Sequence, residues 1–289
     1  MAIDVAAAER FVLANARLVD ALRLGCLAHG APPGPVLAAL RAYQNPDGGF
    51  GHALEPDLRA PHSEPVSALH ALDILAELNA GGDAMVADAA RWIAGVADPD
   101  GGVPFVLPAG LDYPRAPWME PSPGGSHLTF GITAKLWEFG CAGPWLAQAT
   151  DWCWTRLEAP GGLEGYWAKF ALDFLDQVPD QARAQAAIER IRPALRADGT
   201  LPVPGGVEGE HLTPLALSGR PGRRSRALFT DSQIDADLDT LEAGQQADGG
   251  WTFDFLAWSP GQLAEWRGIV TLGALATLDA HGRITLAAR

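Results

Sequence analysis

Apolar residues recur with the 3.6-residue period of amphipathic helices along most of this 289-residue chain. Stop signals such as Asn-Pro, Asp-Pro and Gly divide that pattern into separate segments. The predicted helices span residues 6–27, 35–43, 63–79, 83–96, 126–139, 144–157, 163–178, 180–195, 231–246 and 261–280. The sequence therefore predicts an all-α fold.

A short motif returns where several of these helices end. Residues 44–50 are Gln-Asn-Pro-Asp-Gly-Gly-Phe, and residues 245–251, Gln-Gln-Ala-Asp-Gly-Gly-Trp, are a near copy. Weaker copies lie at 98–105, 159–163 and 196–201. A spacing of about 50 residues is typical of a helical repeat protein. Glycine supplies the positive φ that ends a helix, and aspartate can bond the freed amides, so we predict a structural role for the motif.

The helices are of two kinds. Those before the motif, such as 180–195, are amphipathic and charged, whereas those after it, such as 63–79 and 261–280, are almost uniformly apolar. A helix that is apolar all round is buried on all sides. We therefore expect a closed ring of about five to six helical hairpins with inner and outer layers. The prediction is one domain, 1–289, with irregular loops at about 101–125 and 199–228.

Composition and charge exclude some partners. The hydrophobic content of 48% can form a sizeable core, and the net charge of −14 would repel nucleic acid and anionic membranes. We find no uncharged apolar run long enough for an integral membrane segment and no signal peptide. The three cysteines, Cys26, Cys141 and Cys153, form no Cys-x-x-Cys pair, and we interpret them as buried thiols of a cytoplasmic protein.

The helix–Gln-x-x-Asp-Gly-Gly-Phe/Trp–helix repeat resembles the QW-like repeat of squalene and terpene cyclases and of protein prenyltransferase β subunits. The resemblance covers about residues 5–282 and implies an α/α toroid that handles isoprenoids. The chain also resembles a group of bacterial proteins that share Gly-Phe-Gly-His-x-Leu-Glu-Pro-Asp, here 49–57, and Glu-Trp-Arg-Gly, here 265–268. That group implies no particular activity.

Motifs of the resembling families are missing. No Asp-x-Asp-Asp opens an inner helix, and Asp-Ala-Asp-Leu-Asp at 235–239 lies on an outer helix, where we expect a solvated face. The Asp-Asp-x-x-Asp magnesium motif is absent, and no cysteine has the context of the prenyltransferase zinc ligand. We therefore predict no metal site and no cofactor, with magnesium expected only where a diphosphate is bound.

Polar and aromatic residues are concentrated in the loops that should open at one mouth of the ring. A carboxyl among aromatic rings is a candidate general acid because desolvation raises its pKa. The predicted catalytic residues are Asp57, Glu64, Glu55, His127 and Glu265. Arginines can hold a phosphate or carboxylate, and aromatic faces can stabilise cations. The predicted substrate-binding residues are Arg59, Arg115, Tyr113, Trp118, Tyr166, Trp167, Trp258 and Arg267.

Each of these residues has a structural alternative. A carboxylate such as Glu64 is favoured near a helix N-terminus by the helix dipole alone. Glu265 and Arg267 could form an ion pair that fixes the last helix, and His127 could be a core histidine. Arg59 and Arg115 could pair with neighbouring acids.

Three functions remain open. The first is a terpenoid cyclase-like or prenyl-handling enzyme, an isomerase or lyase, that binds a small hydrophobic or isoprenoid ligand and uses Glu64 or Asp57 as proton donor. The second is a carbohydrate-active enzyme with a carboxylate pair. The third is a non-catalytic binding or scaffold toroid. The cyclase-like hypothesis ranks first, and the sequence leaves the oligomeric state open.

Overall fold

The computed structural model describes residues 3–286. Its regular structure is dominated by α-helices: α1 Val5–Asn15, α2 Leu18–His29, α3 Gly34–Arg41, α4 Pro65–Glu77, α5 Ala84–Val96, α6 Leu128–Glu138, α7 Pro144–Glu158, α8 Gly165–Gln177, α9 Gln181–Ile191, α10 Pro214–Leu217, α11 Asp231–Ala243 and α12 Pro260–Ala280. Two short strands, β1 Leu201–Pro202 and β2 His211–Leu212, pair antiparallel, with Leu201 opposite Leu212. The predicted all-α class is confirmed.

The prediction of one helix over 6–27 is wrong, because Ala16 and Arg17 adopt extended backbone angles between α1 and α2. The cause is tertiary. A Cβ added at Gly268 of α12 would lie 2.7 Å from the Cβ of Ala16, so α12 passes close to this break. Arg17 turns to bind Asp20, with Nε 2.7 Å from Oδ2. Packing and an ion pair thus override the local helical pattern.

The described chain forms two compact units. One contains residues 3–39 together with 195–286, and the other contains residues 40–194. We call them the two-segment unit and the 40–194 unit. The single domain expected from the sequence stays a prediction.

Inner and outer helices are distinct in the 40–194 unit. α4 and α6 bury most of their residues, whereas α5 and α7 bury a single apolar stripe. α6 packs against both α4 and α8. Gly131 of α6 makes the close approach feasible, since a Cβ there would lie 2.7 Å from Phe170 and 3.0 Å from Leu69. The predicted division into buried and amphipathic helices is confirmed for this unit.

The two-segment unit is built around α12, which packs against α1 and α2. Arg283, just beyond α12, holds three carboxylates of α11, and these belong to Asp235, Asp239 and Glu242. The acidic string at 235–239 is therefore an ion-paired surface. Residues 199–228 contain β1, β2, α10 and one 3-10 turn in place of a long inner helix.

The Asp-Gly-Gly turns share one hydrogen-bond pattern. In four copies the aspartate Oδ1 accepts from the amide two residues further on at 2.9–3.2 Å, and these residues are Asp47, Asp100, Asp198 and Asp248. The glycine that follows has a φ of 85–96° at Gly48, Gly101, Gly199 and Gly249. Only glycine adopts that conformation without strain. The structural role predicted for the motif is confirmed.

The cysteines differ in exposure. Cys153 is buried, while Cys26 and Cys141 are partly exposed, so the predicted burial holds for Cys153 alone. None of the helices within residues 3–286 combines the length and apolar character that a membrane crossing requires.

Candidate functional site

Glu64 lies immediately before the inner helix α4, at a position that the repeat defines. Its amide donates to the carbonyl of Phe50 at 2.8 Å, as the amide of Ser126 donates to Val103 at 2.7 Å before α6. The Ser126 hydroxyl also bonds to that Val103 carbonyl. The Ser126 hydroxyl is therefore satisfied by the same carbonyl as its amide, whereas the longer Glu64 side chain is directed into the protein and is 1% exposed.

The Glu64 carboxyl has few polar neighbours. Oε2 accepts from the amide of Leu107 at 2.9 Å, and the Nδ1 atom of His62 lies 3.2 Å from Oε1. A Cβ added at Gly110 would lie 3.0 Å from Oε1 and 2.9 Å from Val106. Within residues 3–286, no lysine or arginine lies within ion-pair distance of this carboxyl. The loop around Gly110 thus closes over an acid that lacks a strong cationic partner.

Burial raises the pKa of Glu64 from 4.5 to about 7, against the opposing effects of the Leu107 amide and of His62. A large fraction of the carboxyl is therefore protonated near neutral pH. A group with this pKa can act as a general acid there. His62 connects the acid to the surface, because its side chain is 32% exposed and its ring lies edge-on to Tyr113 at 5.3 Å.

Glu55 and Asp57 lie in the same region but have backbone partners. Each residue is 4% exposed. Oε2 of Glu55 accepts from the amide of Asp57 at 2.9 Å, and the Asp57 carbonyl accepts from the amide of Ala116. The Arg59 amide donates to Pro114, so the 55–59 loop is joined to the 114–116 segment. These contacts bring Glu55, Asp57 and the Arg59 backbone together.

The Arg115 guanidinium fixes its own loop. Nε donates to the carbonyl of Met119 and Nη1 to that of Leu111, both at 3.0 Å, while Nη2 binds Glu120 at 2.6 Å. Trp118 in the same loop is exposed. The substrate-binding roles of Arg115 and Trp118 stay predictions, and the geometry gives Arg115 a structural role as well.

His127 lies among aromatic rings. Its ring centroid is 5.0 Å from Phe105, 5.2 Å from Phe170, 5.7 Å from Trp167 and 6.5 Å from Tyr166. Burial, assisted by the charge of Lys169, lowers its pKa to about 4. His127 is therefore neutral at physiological pH, where it carries no proton that it could give up as an imidazolium. Three predicted residues, His127, Tyr166 and Trp167, are brought together here.

The remaining predicted residues, Trp258, Glu265 and Arg267, belong to the two-segment unit. The Arg267 guanidinium binds both carboxylate oxygens of Asp248 at 2.7 and 2.8 Å, and its Nε donates to the carbonyl of Trp251. It also lies 4.4 Å from the Phe11 ring centroid. Arg267 therefore ties α12 to an Asp-Gly-Gly turn. Glu265 and Trp258 are partly exposed.

Sequence reasoning missed a buried ion group in the two-segment unit. Asp20 is fully buried and binds Arg17 and Arg23 at 2.7 and 2.8 Å. Burial alone would raise the pKa of Asp20, but the two guanidinium groups outweigh it and hold the pKa below its ordinary value. The i, i+3 spacing of these residues was the available signal. In the part of the chain that the structure describes, no group of three His, Cys, Asp or Glu side chains could hold a metal ion.

Comparison with known proteins shows the fold. No protein-family model and no curated protein sequence matches the chain. A crystal structure of a protein from Actinoplanes is 20% identical, with a TM-score of 0.58 over 95% of this chain and 99% of that one. A variant of the type II terpene cyclase MstE from Scytonema, in complex with the product merosterolic acid A, is 15% identical over 95% of both chains, with a TM-score of 0.59.

A second MstE variant, in complex with the substrate geranylgeranyl dihydroxybenzoate, is 14% identical over 97% of both chains, with a TM-score of 0.55. The chain therefore has the fold of a type II terpene cyclase, and the predicted α/α toroid is confirmed as its fold class. The likeness to the particular bacterial group stays a prediction.

Proposed function

We propose that this chain is a terpenoid cyclase-like enzyme that binds a hydrophobic isoprenoid substrate and uses Glu64 as its proton donor. One observation carries the proposal, namely a fully buried carboxyl whose pKa is raised to about 7 in a fold shared with type II terpene cyclases. The MstE structures in complex with an isoprenoid substrate and product support the ligand class. The proposal includes no cofactor and a cytoplasmic location.

Glu64 would transfer its proton to an alkene carbon of the substrate. The Leu107 amide binds Oε2, so the proton is expected on Oε1. The alkene π electrons form the new C–H bond, the adjacent carbon becomes a cation, and Glu64 is left as a carboxylate. A second alkene then forms a C–C bond to that cation, the new cation loses a proton to water, and Glu64 is reprotonated from solvent, so the product is an isomer of the substrate. The Leu107 amide and His62 both stabilise the carboxylate that remains.

The test is incubation of the protein with geranyl, farnesyl and geranylgeranyl diphosphate, squalene and geranylgeranyl dihydroxybenzoate, with and without magnesium, followed by mass spectrometry. The expected product is isomeric with its substrate and forms without magnesium. Glu64→Gln should lower the rate by about 10²-fold or more, because it removes the proton donor.

Glu164→Gln is the matched control. Glu164 precedes the inner helix α8 with backbone angles close to those of Glu64, but its side chain is exposed. This variant should retain full activity. Equal rates for Glu64→Gln and the unaltered protein would refute the assignment, and magnesium-dependent release of diphosphate would point to ionisation instead of protonation.

A non-catalytic ligand-binding toroid is the second candidate. It is favoured by the local engagement of Arg115 and Arg267, whose guanidinium groups already bind acceptors of their own units. Calorimetric binding of the same ligands with no product, and with equal affinity for Glu64→Gln, would support it. The carbohydrate-active alternative needs two carboxylates in an accessible groove, and the burial of Glu55, Asp57 and Glu64 does not favour that arrangement.

A further inference from the structure

A group of partly exposed rings lies beside the first turns of α6 and α8. We call this group the aromatic cluster, and it consists of Phe105, His127, Tyr166, Trp167 and Phe170. Deeper rings of the same helices, Phe130 and Phe174, are fully buried. Burying the exposed parts of the cluster against a ligand would be favourable at roughly 25 cal/mol per Å² of apolar surface.

Two cations border the aromatic cluster. The Arg156 guanidinium carbon lies 4.7 Å from the ring centroid of Trp167, and the Lys169 Nζ lies 4.4 Å from that of Phe170. Lys169 is 3.7 Å from Asp173, and within residues 3–286 no carboxylate lies within salt-bridge distance of Arg156. A positive edge is unusual in a chain with a net charge of −14.

The positive charge of Lys169 acts on the aromatic cluster, since it contributes to the lowered pKa of His127. Fixed positive charges beside the rings repel a bound cation and attract an anion. The rings favour a flat apolar group, which can stack or meet them edge-on. A ligand that combines both properties is an aromatic ring bearing a carboxylate.

We propose that the aromatic cluster binds an arene carboxylate, with the ring packed against His127 and Trp167 and the carboxylate paired with Arg156 and Lys169. This inference rests on the proposed function in one respect, that the arene carboxylate is the non-isoprenoid end of the cyclase substrate. It places an anion at these rings and assigns stabilisation of any carbocation to another part of the molecule.

The test is a set of direct titrations with benzoate, benzyl alcohol and benzylamine, followed by tryptophan fluorescence and calorimetry. The three probes share a ring and differ in charge. Benzoate should bind at millimolar concentrations, benzyl alcohol more weakly and benzylamine most weakly. Added salt should weaken benzoate binding, because the ion pairs are partly exposed.

The double variant Arg156→Gln, Lys169→Gln should weaken benzoate binding by about tenfold and leave benzyl alcohol unchanged. Arg183→Gln is the matched control, since its guanidinium lies 4.1 Å from the Trp154 ring in the same unit but pairs with Glu158. That control should bind benzoate normally. Circular dichroism and thermal melting check that each variant is folded.

Tight binding of benzylamine, unchanged benzoate affinity in the double variant, or no saturable benzoate binding would each overturn this inference. These titrations need no turnover, so the outcome is separate from that of the Glu64 assay. A protein that cyclises but does not bind benzoate refutes the arene carboxylate alone. A protein that binds benzoate but shows no Glu64-dependent turnover refutes the cyclase proposal alone.

Discussion

Replacement of Glu64 by Gln should change how the stability of the protein depends on pH. The glutamine amide mimics the protonated carboxyl and can still accept the bond from Leu107. In the folded protein the pKa of Glu64 is about 7, compared with an ordinary value of 4.5. At 1.36 kcal/mol per pH unit, this difference corresponds to about 3 kcal/mol.

The sign of the stability change follows from the direction in which the pKa of Glu64 is shifted. Below pH 4.5 the carboxyl is protonated in both the folded and the unfolded chain. Between pH 4.5 and about 7 the unfolded chain loses the proton while the folded chain retains it, so the stability due to Glu64 is progressively lost. Glu64→Gln has no proton to lose. Relative to the unaltered protein, the variant should therefore gain about 3 kcal/mol in unfolding free energy across this range.

The assay is urea unfolding of both proteins at pH values from 4.5 to 8, with the difference in unfolding free energy plotted against pH. Glu164→Gln serves as the control, because the exposed Glu164 should produce a nearly constant difference. A constant difference for Glu64→Gln as well would refute the raised pKa. A variant that becomes relatively less stable as pH rises would show instead that Glu64 is ionised and stabilised by His62.

Three further predictions concern stability. Gly49→Ala should lower the free energy of unfolding by about 1–3 kcal/mol, because the new Cβ would overlap neighbouring side chains. Gly273→Ala should raise the free energy of unfolding by about 0.5–1 kcal/mol, because its new Cβ meets nothing within 4 Å. A melting temperature equal to that of the unaltered protein would contradict the prediction for either variant. Asp20→Asn should cost about 3–5 kcal/mol in urea unfolding, since it removes a buried carboxylate that binds two guanidinium groups, and a loss below about 1 kcal/mol would show that the site is hydrated. Arg267→Gln should lower the free energy of unfolding by about 1–3 kcal/mol, because the bidentate contact with Asp248 is lost. Adding Asp248→Asn to that variant should lower the free energy of unfolding little further, because the two side chains act as one pair.

The helices could be predicted because their pattern is local. All seven helices predicted between residues 63 and 246 overlap an observed helix, and the predicted and observed C-terminal ends differ by only a few residues. The break at Ala16 could not be predicted, since it depends on the approach of Gly268 some 250 residues away. The Asp-Gly-Gly motif was informative because its hydrogen bonds lie within a few residues of one another.

The site could be predicted only in part. The candidate acids follow directly from loop positions in the repeat, and Glu64 was among them. Glu55 and Asp57 are buried as well, but the Glu64 carboxyl lies against the Leu107–Gly110 loop, and no spacing in the sequence connects that loop to α4. The hydrogen bonds that hold the Arg115 guanidinium in its own loop could not be predicted from the sequence either, because most of their acceptors are backbone carbonyls.

The repeat also provides an internal standard for Glu64. Before α6 the equivalent residue is Ser126, whose hydroxyl bonds to the Val103 carbonyl, and the residue that precedes α8 is the exposed Glu164. Neither arrangement requires a buried ionisable group, so the turn folds without one. A buried carboxyl at the first position destabilises the protein at neutral pH, and a serine there would remove that cost. Residues that conflict with the local requirements of the fold, such as a buried ionisable group, are concentrated at functional sites. The position of Glu64 in the repeat, together with its pKa, is therefore a stronger argument for chemistry than its proximity to other polar residues.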